Sequence, residues 1–482
     1  MSARSFEAFL LAASVAVGCS DDADTSGGGS GGRQQEGGGG EGGGPPAAEV
    51  SVHFFVDARP HDADDAEVEA TEARYSDPVR VVVRGLEAGQ RIRVDSSLGS
   101  WATFDAINDG TVDLGRDAPI EGSWTEADMD GLIWSAPPTD DYEAAFDVTV
   151  VDAISGAPLA AGSFARSSID AGVEATPVAE GTRVGTLVRP SGAARGKRPA
   201  VLAFGGSEGG TSTGEFFAYY LAQLGYVSFG VGYFGAPGLP ADLERVPLEI
   251  LEDDLAFLAS QPDVDPDRIA VLGGSRGGEL ALLLGASFPE RVHAVVAQVP
   301  SGYVWGATSG EPVTAWTLGG VDVPSVPSAG AFPDSYFKDG EQYIVSTPTF
   351  FASIDAATPE ELDLATTRVE DASGPVLLVA GASDNLWPSC DLADVAWQRL
   401  DASGHAALHE DEVHCFPDAG HFIVFPPGSS TQDSTAYFNA AYDVWFDVGG
   451  TPEGNARAAR AGNTALRGFL ERALGAEPSA DR

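Results

Sequence analysis

Apolar and polar positions follow two different patterns along this 482-residue chain. From about residue 48 to 185 they alternate in short runs separated by turns, which is typical of half-buried strands in an antiparallel sheet. The runs predicted as strands lie at 50–56, 79–84, 91–96, 110–114, 131–135 and 145–152. Several short strands at this spacing predict an Ig-like β-sandwich as the first folded domain, over residues 48–185.

From residue 186 to 475, continuous apolar runs alternate with helix-forming segments, which predicts an α/β domain on a mostly parallel sheet. The predicted strands lie at 198–204, 226–233, 268–272, 292–299, 375–380 and 406–416, and the predicted helices at 215–224, 248–261, 279–287, 391–402 and 452–474. A stretch at about 301–373 is rich in glycine, proline and aromatic residues. Its length predicts a lid or acyl-pocket wall; the alternative is a surface excursion that packs on itself.

One stretch of this second domain, DRIAVLGGSRGGELALLL at residues 267–284, has the layout strand, glycine-flanked serine, helix. A serine held in such a tight turn exposes its hydroxyl, and bulky side chains two residues away would clash, so Gly273 and Gly277 fit. The pattern therefore predicts Ser275 as a nucleophile. The alternative is an ordinary glycine-rich turn that carries an inert serine.

Asp384 and His421 follow later predicted strands, in the order nucleophile, acid, histidine. The carboxyl ends of parallel strands meet at one edge of a sheet, so we expect the three side chains to come together. His421 would take the proton of Ser275, and Asp384 would hold the imidazole and stabilise its charged form. We predict the backbone amides of Arg276 and Ser207 as donors to the oxyanion.

The remaining polar candidates are predicted to be structural. His414 falls inside a predicted strand, and Asp411 and Asp418 lie on the segment of the histidine itself. Glu279 is placed to cap or position the helix after the serine. The residues interpreted as surface or core are His293, His405 and His409, and Cys390 is interpreted as structural.

Composition narrows the function further. The formal net charge of −45 argues against nucleic acid, whose phosphates require a basic surface, and against electrostatic adhesion to anionic lipid. The chain has three cysteines and no C-x-x-C pair, so we predict no structural metal site and no cofactor. The tetrahedral oxyanion chemistry predicted for Ser275 requires an acyl substrate, so the predicted partner is a small-molecule acyl thioester or ester.

The first 18 residues resemble a lipoprotein signal, with cleavage before Cys19 and lipid attached to its thiol. A glycine-rich tract follows, and residues 19–47 are predicted to be a flexible tether. The alternatives are an ordinary secretory signal or a frayed terminus. The favoured interpretation places the protein in a bacterial cell envelope, in contact with the membrane only through its anchor. Cys390 and Cys415 then remain either as a disulfide or as two buried thiols.

Blocks of sequence in both domains resemble the acyl-CoA thioesterase / bile acid-CoA:amino acid N-acyltransferase (BAAT) family. Among them are PVRVVVRGLEAGQ at 78–90, GYFGAPGLPADLERVPLE at 232–249, GGSRGGELALLLG at 273–285 and DAGHFI at 418–423, and their linear order is more specific than any one block. The resemblance implies a β-sandwich ahead of an α/β-hydrolase domain that acts on acyl-CoA thioesters. Serine at 275 matches the thioesterase type, because amidating members carry cysteine there.

Two other functions stay open beside this resemblance. Acyl-CoA is an intracellular metabolite, so an exported chain would rarely meet it. The first alternative is therefore an exported carboxylesterase that acts on lipid or xenobiotic esters. The second is a surface binding protein that keeps the fold without catalysis. The acidic chain is a poor host for the phosphates of CoA, unless Arg245, Arg268 and Arg276 form a local basic patch.

Overall fold

The computed structural model describes residues 49–57, 67–139, 145–192, 196–309, 312–423, 428–440 and 443–475. The predicted signal, Cys19 and the tether lie outside the described residues. Within the described part, no helix is both long enough and apolar enough to cross a membrane.

The first region is a sandwich of two sheets that share one core. One sheet has the strand order β2-β1-β4-β7 and the other β3-β10-β9-β5-β6-β8. Alternation is clearest in β9, where every second side chain points into the core. The elements are β1 (Ser51–Asp57), β2 (Glu67–Glu69), β3 (Glu72–Arg74), β4 (Val79–Arg84), β5 (Arg91–Ser96), β6 (Trp101–Asp105), β7 (Val112–Asp113), β8 (Glu121–Gly122), α1 (Gly131–Trp134), β9 (Ala145–Asp152) and β10 (Pro158–Ser167). Phe54 of one sheet packs on Phe146 and Phe164 of the other.

The second region is built on an eight-stranded sheet of order β11-β12-β14-β13-β16-β17-β22-β23. Strands β14 to β23 of this order run parallel, and β11 and β12 are antiparallel at one edge. The sheet strands are β11 (Val173–Glu180), β12 (Arg183–Pro190), β13 (Arg198–Phe204), β14 (Val227–Val231), β16 (Val264–Gly274), β17 (Ala294–Gln298), β22 (Val376–Gly381) and β23 (Glu412–Phe416). Their central residues are almost wholly buried, which explains the continuous apolar runs.

Helices cover both faces of this sheet, so the predicted α/β-hydrolase fold is confirmed, as is the strand-rich domain ahead of it. The helices are α2 (Ser212–Gln223), α3 (Glu249–Ala259), α4 (Arg276–Ser287), α5 (Thr347–Ala356), α6 (Pro359–Ala365), α7 (Ser389–Ser403), α8 (His405–His409) and α9 (Pro452–Leu474). A short 3-10 helix lies at Val369–Asp371.

Three predictions about this architecture were wrong. Strands β11 and β12 belong to the eight-stranded sheet, so that sheet begins at Val173 rather than after the predicted boundary at 185. The run at 131–135 forms the helix α1 and not a strand. The prediction failed because four consecutive buried residues show no periodicity that separates a helix from a strand. The predicted strand at 406–416 is the helix α8 followed by β23.

The stretch at 301–373 contains regular structure. It supplies the strands β18 (Trp316–Leu318), β19 (Val321–Asp322), β20 (Asp334–Lys338) and β21 (Glu341–Val345), of which β18 pairs with β15 (Val246–Pro247). The hairpin β20–β21 joins β25 (Val444–Asp447) and β24 (Ala436–Asn439) in a separate sheet of order β20-β21-β25-β24. Tyr336, Tyr343, Trp445 and Phe438 face one another across these four strands.

Candidate active site

The turn between β16 and α4 has the geometry that the glycine pattern predicts. Ser275 has φ of 58° and ψ of −123°, a backbone conformation that an L-residue adopts only under strain. A Cβ on Gly273 would lie 2.3 Å from the carbonyl oxygen of Gly277, and a Cβ on Gly277 would lie 2.1 Å from that of Gly205. Glycine is therefore required at both positions for steric reasons.

Ser275, His421 and Asp384 form a continuous hydrogen-bonded chain. His421 Nε2 lies 3.0 Å from Ser275 Oγ, and His421 Nδ1 lies 2.8 Å from Asp384 Oδ2. The three residues follow β16, β23 and β22, so they meet at the carboxyl edge of the parallel sheet. The structure brings together the three residues that the sequence singles out; their catalytic roles remain a prediction.

Asp384 is held by backbone groups on the side away from the histidine. Its Oδ1 accepts hydrogen bonds from the amides of Leu386 (2.9 Å) and Trp387 (3.2 Å). The side chain is fully buried, and that of His421 is 4% exposed. A buried carboxylate fixed at both oxygens orients the imidazole and leaves Nε2 directed at the serine.

The loop after β13 lies directly against the nucleophile. A Cβ on Gly206 would lie 3.1 Å from the Cβ of Ser275. The Gly206 amide donates to the carboxylate of Glu208, and the Tyr233 hydroxyl donates to the carbonyl oxygens of Gly205 (3.1 Å) and Gly206 (2.7 Å). Ser207 is exposed at this loop. The oxyanion role of the Ser207 and Arg276 amides stays a prediction.

The side chain of Arg276 turns into the protein. Its Nη2 donates to the carbonyl oxygens of Trp305 (3.1 Å) and Gly306 (3.2 Å), and its Nη1 lies 3.2 Å from Glu279 Oε2. Glu279 Oε1 accepts from Trp316 Nε1 (2.6 Å) and from the Trp305 amide (3.3 Å). Glu279 therefore ties the insert to α4 rather than capping that helix.

Burial raises the pKa of the Glu279 carboxyl to about 7, and Arg276, Trp316 and Trp305 oppose that rise. Its side chain is completely buried. A charged pair buried behind the nucleophile could not be predicted from the sequence, because the spacing of Arg276 and Glu279 also fits an exposed helical ion pair.

A local basic patch of Arg245, Arg268 and Arg276 does not form. Arg245 pairs with Asp322, and Arg268 contacts Asp265 and two backbone carbonyl oxygens. Arg276 is committed to the buried network behind the serine. The three arginines are therefore engaged in separate parts of the structure.

The other polar candidates are engaged away from the nucleophile. His405 and Asp411 form a buried pair, with 2.7 Å between Nδ1 and Oδ2, and His405 Nε2 lies 3.0 Å from the carbonyl oxygen of Ala372. His414 Nε2 lies 2.9 Å from Glu412. His293 Nδ1 accepts from the Ile269 amide, and the Asp418 carbonyl oxygen accepts from the Thr451 amide. Among the described residues, no group of three His, Cys, Asp or Glu could hold a metal ion.

An aromatic cluster packs beside His421, in which Trp387, a residue that the sequence pattern did not assign to the site, joins two aromatic residues of the insert at 301–373. The Trp387 ring lies 6.1 Å from the imidazole, Phe350 lies 5.8 Å from Trp387, and Trp305 lies 4.8 Å from Phe350, all edge to face. Phe350 and Trp305 belong to the insert, so the insert forms a wall next to the histidine. The aromatic content of 301–373 was the available signal.

Cys390 and Cys415 are joined in a disulfide, with 5.6 Å between their Cα atoms. The bond links the start of α7 to β23. Of the two interpretations left open by the sequence, the structure has the paired one.

A serine, a histidine and an acid at the carboxyl edge of a parallel sheet, with the nucleophile in a strained strand-to-helix turn, define an α/β-hydrolase. The fold assignment comes from the order and direction of the strands. Among solved structures, a thermophilic carboxylesterase from a metagenomic library matches with 21% identity and a TM-score of 0.38, over 64% of this chain and 90% of that one.

Comparison with known families gives the more specific assignment. The acyl-CoA thioester hydrolase/BAAT N-terminal region matches residues 76–180, and the BAAT / acyl-CoA thioester hydrolase C-terminal region matches residues 246–476. The chain belongs to this family and is a thioester or ester hydrolase. Human mitochondrial acyl-coenzyme A thioesterase 2 is 27% identical over 83% of this chain and 82% of its own length. Mouse acyl-coenzyme A thioesterase 1 is 27% identical over 84% of this chain and 95% of its own length.

Proposed function

We propose that this protein hydrolyses acyl-CoA to a free acid and CoA through an acyl-Ser275 intermediate. The observation that carries the mechanism is the chain of hydrogen bonds from Ser275 Oγ through His421 to Asp384. The substrate class is supported by relatives that are named acyl-coenzyme A thioesterases and match along most of their length.

The steps follow from the position of each atom. His421 Nε2 takes the proton of Ser275 as Oγ bonds to the acyl carbon, and the tetrahedral intermediate expels the thiolate, which receives that proton. Water then attacks the acyl-serine. His421 accepts a proton from the water and returns it to Oγ, which releases the acid. The amides of Ser207 and Arg276 would stabilise the oxyanion.

A second candidate is an exported carboxylesterase that acts on lipid or xenobiotic esters. The Cys390–Cys415 disulfide favours it, because such bonds persist mainly in oxidising compartments. Arg245 and Arg268 are engaged in ion pairs and Arg276 in buried contacts, so other groups would have to bind the phosphates of CoA.

The test is hydrolysis by the chain from about Pro45, with a panel of acyl-CoAs beside p-nitrophenyl esters. Ser275→Ala should lower turnover by about 10³-fold or more on every substrate that the wild type cleaves. Faster turnover of acyl-CoAs supports the thioesterase, and turnover of esters alone supports the carboxylesterase. Absence of both activities, together with no reaction of the wild type with a fluorophosphonate probe, would leave the non-catalytic binding protein.

We also propose that the protein is a cell-envelope lipoprotein held by lipid on Cys19, which rests on the signal-like sequence before it. The disulfide supports export. Replacing Cys19 by serine should release the full-length chain from the membrane fraction. Retention of that variant in the membrane would contradict lipid attachment at this residue.

A further inference from the structure

The segment before His421 is held by a buried amide from the last helix. Asn455 lies in the first turn of α9 and is fully buried. Its Oδ1 accepts a hydrogen bond of 2.7 Å from the amide of Gly420, the residue before His421. Its Nδ2 donates to Ser434 Oγ at 2.7 Å. The primary amide thus uses its donor and its acceptor on two separate segments.

The backbone on the other side of this segment is equally close. The His421 amide donates to the carbonyl oxygen of Val448 at 2.8 Å. A Cβ on Gly420 would lie 2.2 Å from the carbonyl oxygen of Gly449, and one on Gly450 would lie 2.5 Å from Asn455 Oδ1. The backbone that carries the imidazole is therefore confined between α9 and the chain after β25.

Helix α9 is in turn fixed to the β-sandwich. Arg460, five residues after Asn455, donates twice to Asp128 at 2.7 Å and once to Asp130 at 3.2 Å. The Arg460 side chain is 19% exposed and those of the two aspartates are 2% and 10% exposed, so this contact is nearly dehydrated. Removing one partner of such a cluster leaves a buried charge without compensation.

The segment that contains Ser434 has its own attachment to the same domain. The Thr431 amide donates to the carbonyl oxygen of Trp134, and Ser430 Oγ donates to that of Ala136 at 2.6 Å. Asn455 thus joins two elements, α9 and the 430–434 segment, that both rest on the sandwich. The end of this path is His421, at 3.0 Å from the nucleophile.

We propose that Asn455 is a positioning residue for His421, through which the β-sandwich sets the distance from the imidazole to Ser275. The inference rests on the proposed Ser275–His421–Asp384 mechanism. It gives the first domain a part in the reaction although none of its described residues is hydrogen-bonded to Ser275, His421 or Asp384. Asn455 acts only through the backbone of Gly420 and the 434 segment.

The experiment compares Asn455→Ala with Asn463→Ala in the full-length chain. Asn463 is a matched control, because it is buried on the same helix but accepts its hydrogen bond from the Tyr220 hydroxyl and not from the Gly420 amide. Both variants should lose thermal stability. Asn455→Ala alone should lower kcat by about 10- to 100-fold with little change in KM, slow fluorophosphonate labelling of Ser275 in parallel, and move the acidic limb of the pH–rate profile.

Two milder variants keep the test decisive if Asn455→Ala does not fold. Asn455→Asp keeps an acceptor for the Gly420 amide and can accept from the Ser434 hydroxyl, so it should retain more labelling than the alanine variant. Ser434→Ala removes the hydroxyl that accepts from Asn455 Nδ2, and it should change kcat, probe labelling and the pH profile by less than Asn455→Ala does. Equal losses in the Asn455 and Asn463 variants, with an unchanged pH profile, would overturn the inference alone. A wild type that does not react with the probe would overturn the proposed function and this inference together.

Discussion

The two halves of the site are built in different ways. The nucleophile side is mostly local: β16, the turn at Ser275 and α4 are contiguous, and the steric demands on Gly273 and Gly277 come from the turn, the Phe204 ring and the Gly205 carbonyl oxygen. The histidine side is assembled from distant parts of the chain, since His421 depends on Asp384, Val448 and the helix that carries Asn455.

The difference shows which kinds of catalytic geometry a short motif can encode. A strained turn needs small residues at fixed offsets, so the geometry of Ser275 is visible in a few letters of sequence. The position of an imidazole at the end of a loop depends on whatever packs around that loop. Substitutions on the nucleophile side and on the histidine side should therefore lower activity for different reasons.

The largest effect is expected for Gly273→Ala. The added methyl group would meet the Gly277 carbonyl oxygen at 2.3 Å and the Phe204 ring at 2.4 Å, and the surrounding backbone has no room to yield. We expect loss of at least about 10³-fold in kcat/KM, or no soluble protein, measured by hydrolysis and probe labelling. Gly274→Ala is the control, because a Cβ there has its nearest neighbour at 3.9 Å. Equal damage from both changes would contradict the local steric account.

A smaller effect is expected for Glu279→Gln, which tests the long-range tie on the nucleophile side. Glutamine keeps the Oε1 acceptor for Trp316 Nε1 and the Trp305 amide but removes the carboxylate beside the buried Arg276 guanidinium. Because burial raises the pKa of Glu279 to about 7, ionisation of this carboxyl lowers wild-type stability as the pH rises from about 4.5 to 7, and glutamine avoids that loss. We expect the melting temperature of the variant to gain on that of the wild type as the pH rises from about 4.5 to 7, and KM for long acyl chains to stay nearly unchanged, because Trp305 keeps its contacts with residue 279 and with Arg276. Labelling of Ser275 should change little.

The double variant Arg276→Gln, Glu279→Gln separates charge from packing. It removes both charges and should have a higher free energy of unfolding than Glu279→Gln alone, because no buried guanidinium then lacks a carboxylate partner. If the double variant loses more unfolding free energy than Arg276→Gln and Glu279→Gln lose together, the charge pair is not the source of the effect.

The smallest effect on activity is expected for Asp254→Asn in α3, far from both halves. Burial raises the pKa of Asp254 to about 8, Arg183 lowers it, and Asp253 raises it. The unfolded carboxyl ionises above its ordinary pKa near 4 while the folded one stays protonated, so wild-type stability falls as the pH rises from about 4 to 8. Asparagine removes this loss.

The variant should therefore match the wild type near pH 4 and exceed it by about 1–4 kcal/mol at pH 7, measured by denaturant unfolding at several pH values. Hydrolysis should be unchanged. A stability difference that does not depend on pH would contradict the titration of Asp254, and a loss of activity would show that stability and catalysis are coupled through α3.

The same contrast explains what the sequence could predict. Helix α9 was predicted over 452–474 as found, because its caps and period are local. The sheet β20-β21-β25-β24 was missed, since it pairs residues near 340 with residues near 445 across two segments that the sequence separates by about a hundred positions. The aromatic residues at 437–438 and 445–446 are consistent with strands, but only the pairing with β21 identifies the second pair as part of a sheet. Likewise, nothing local marks Asn455 as a neighbour of Gly420.

The disulfide has a consequence for the chain before it folds. Cys390 lies six residues after Asp384, and Cys415 lies six residues before His421. In the oxidised denatured ensemble, the acid and the base are therefore tethered through a covalent crosslink, although 37 positions separate them along the backbone. Closing a loop of 25 residues removes denatured-state entropy worth about 3 kcal/mol. Oxidation thus restricts the conformational search on the histidine side, while Ser275, 146 positions from His421, still has to be brought in by folding of the sheet.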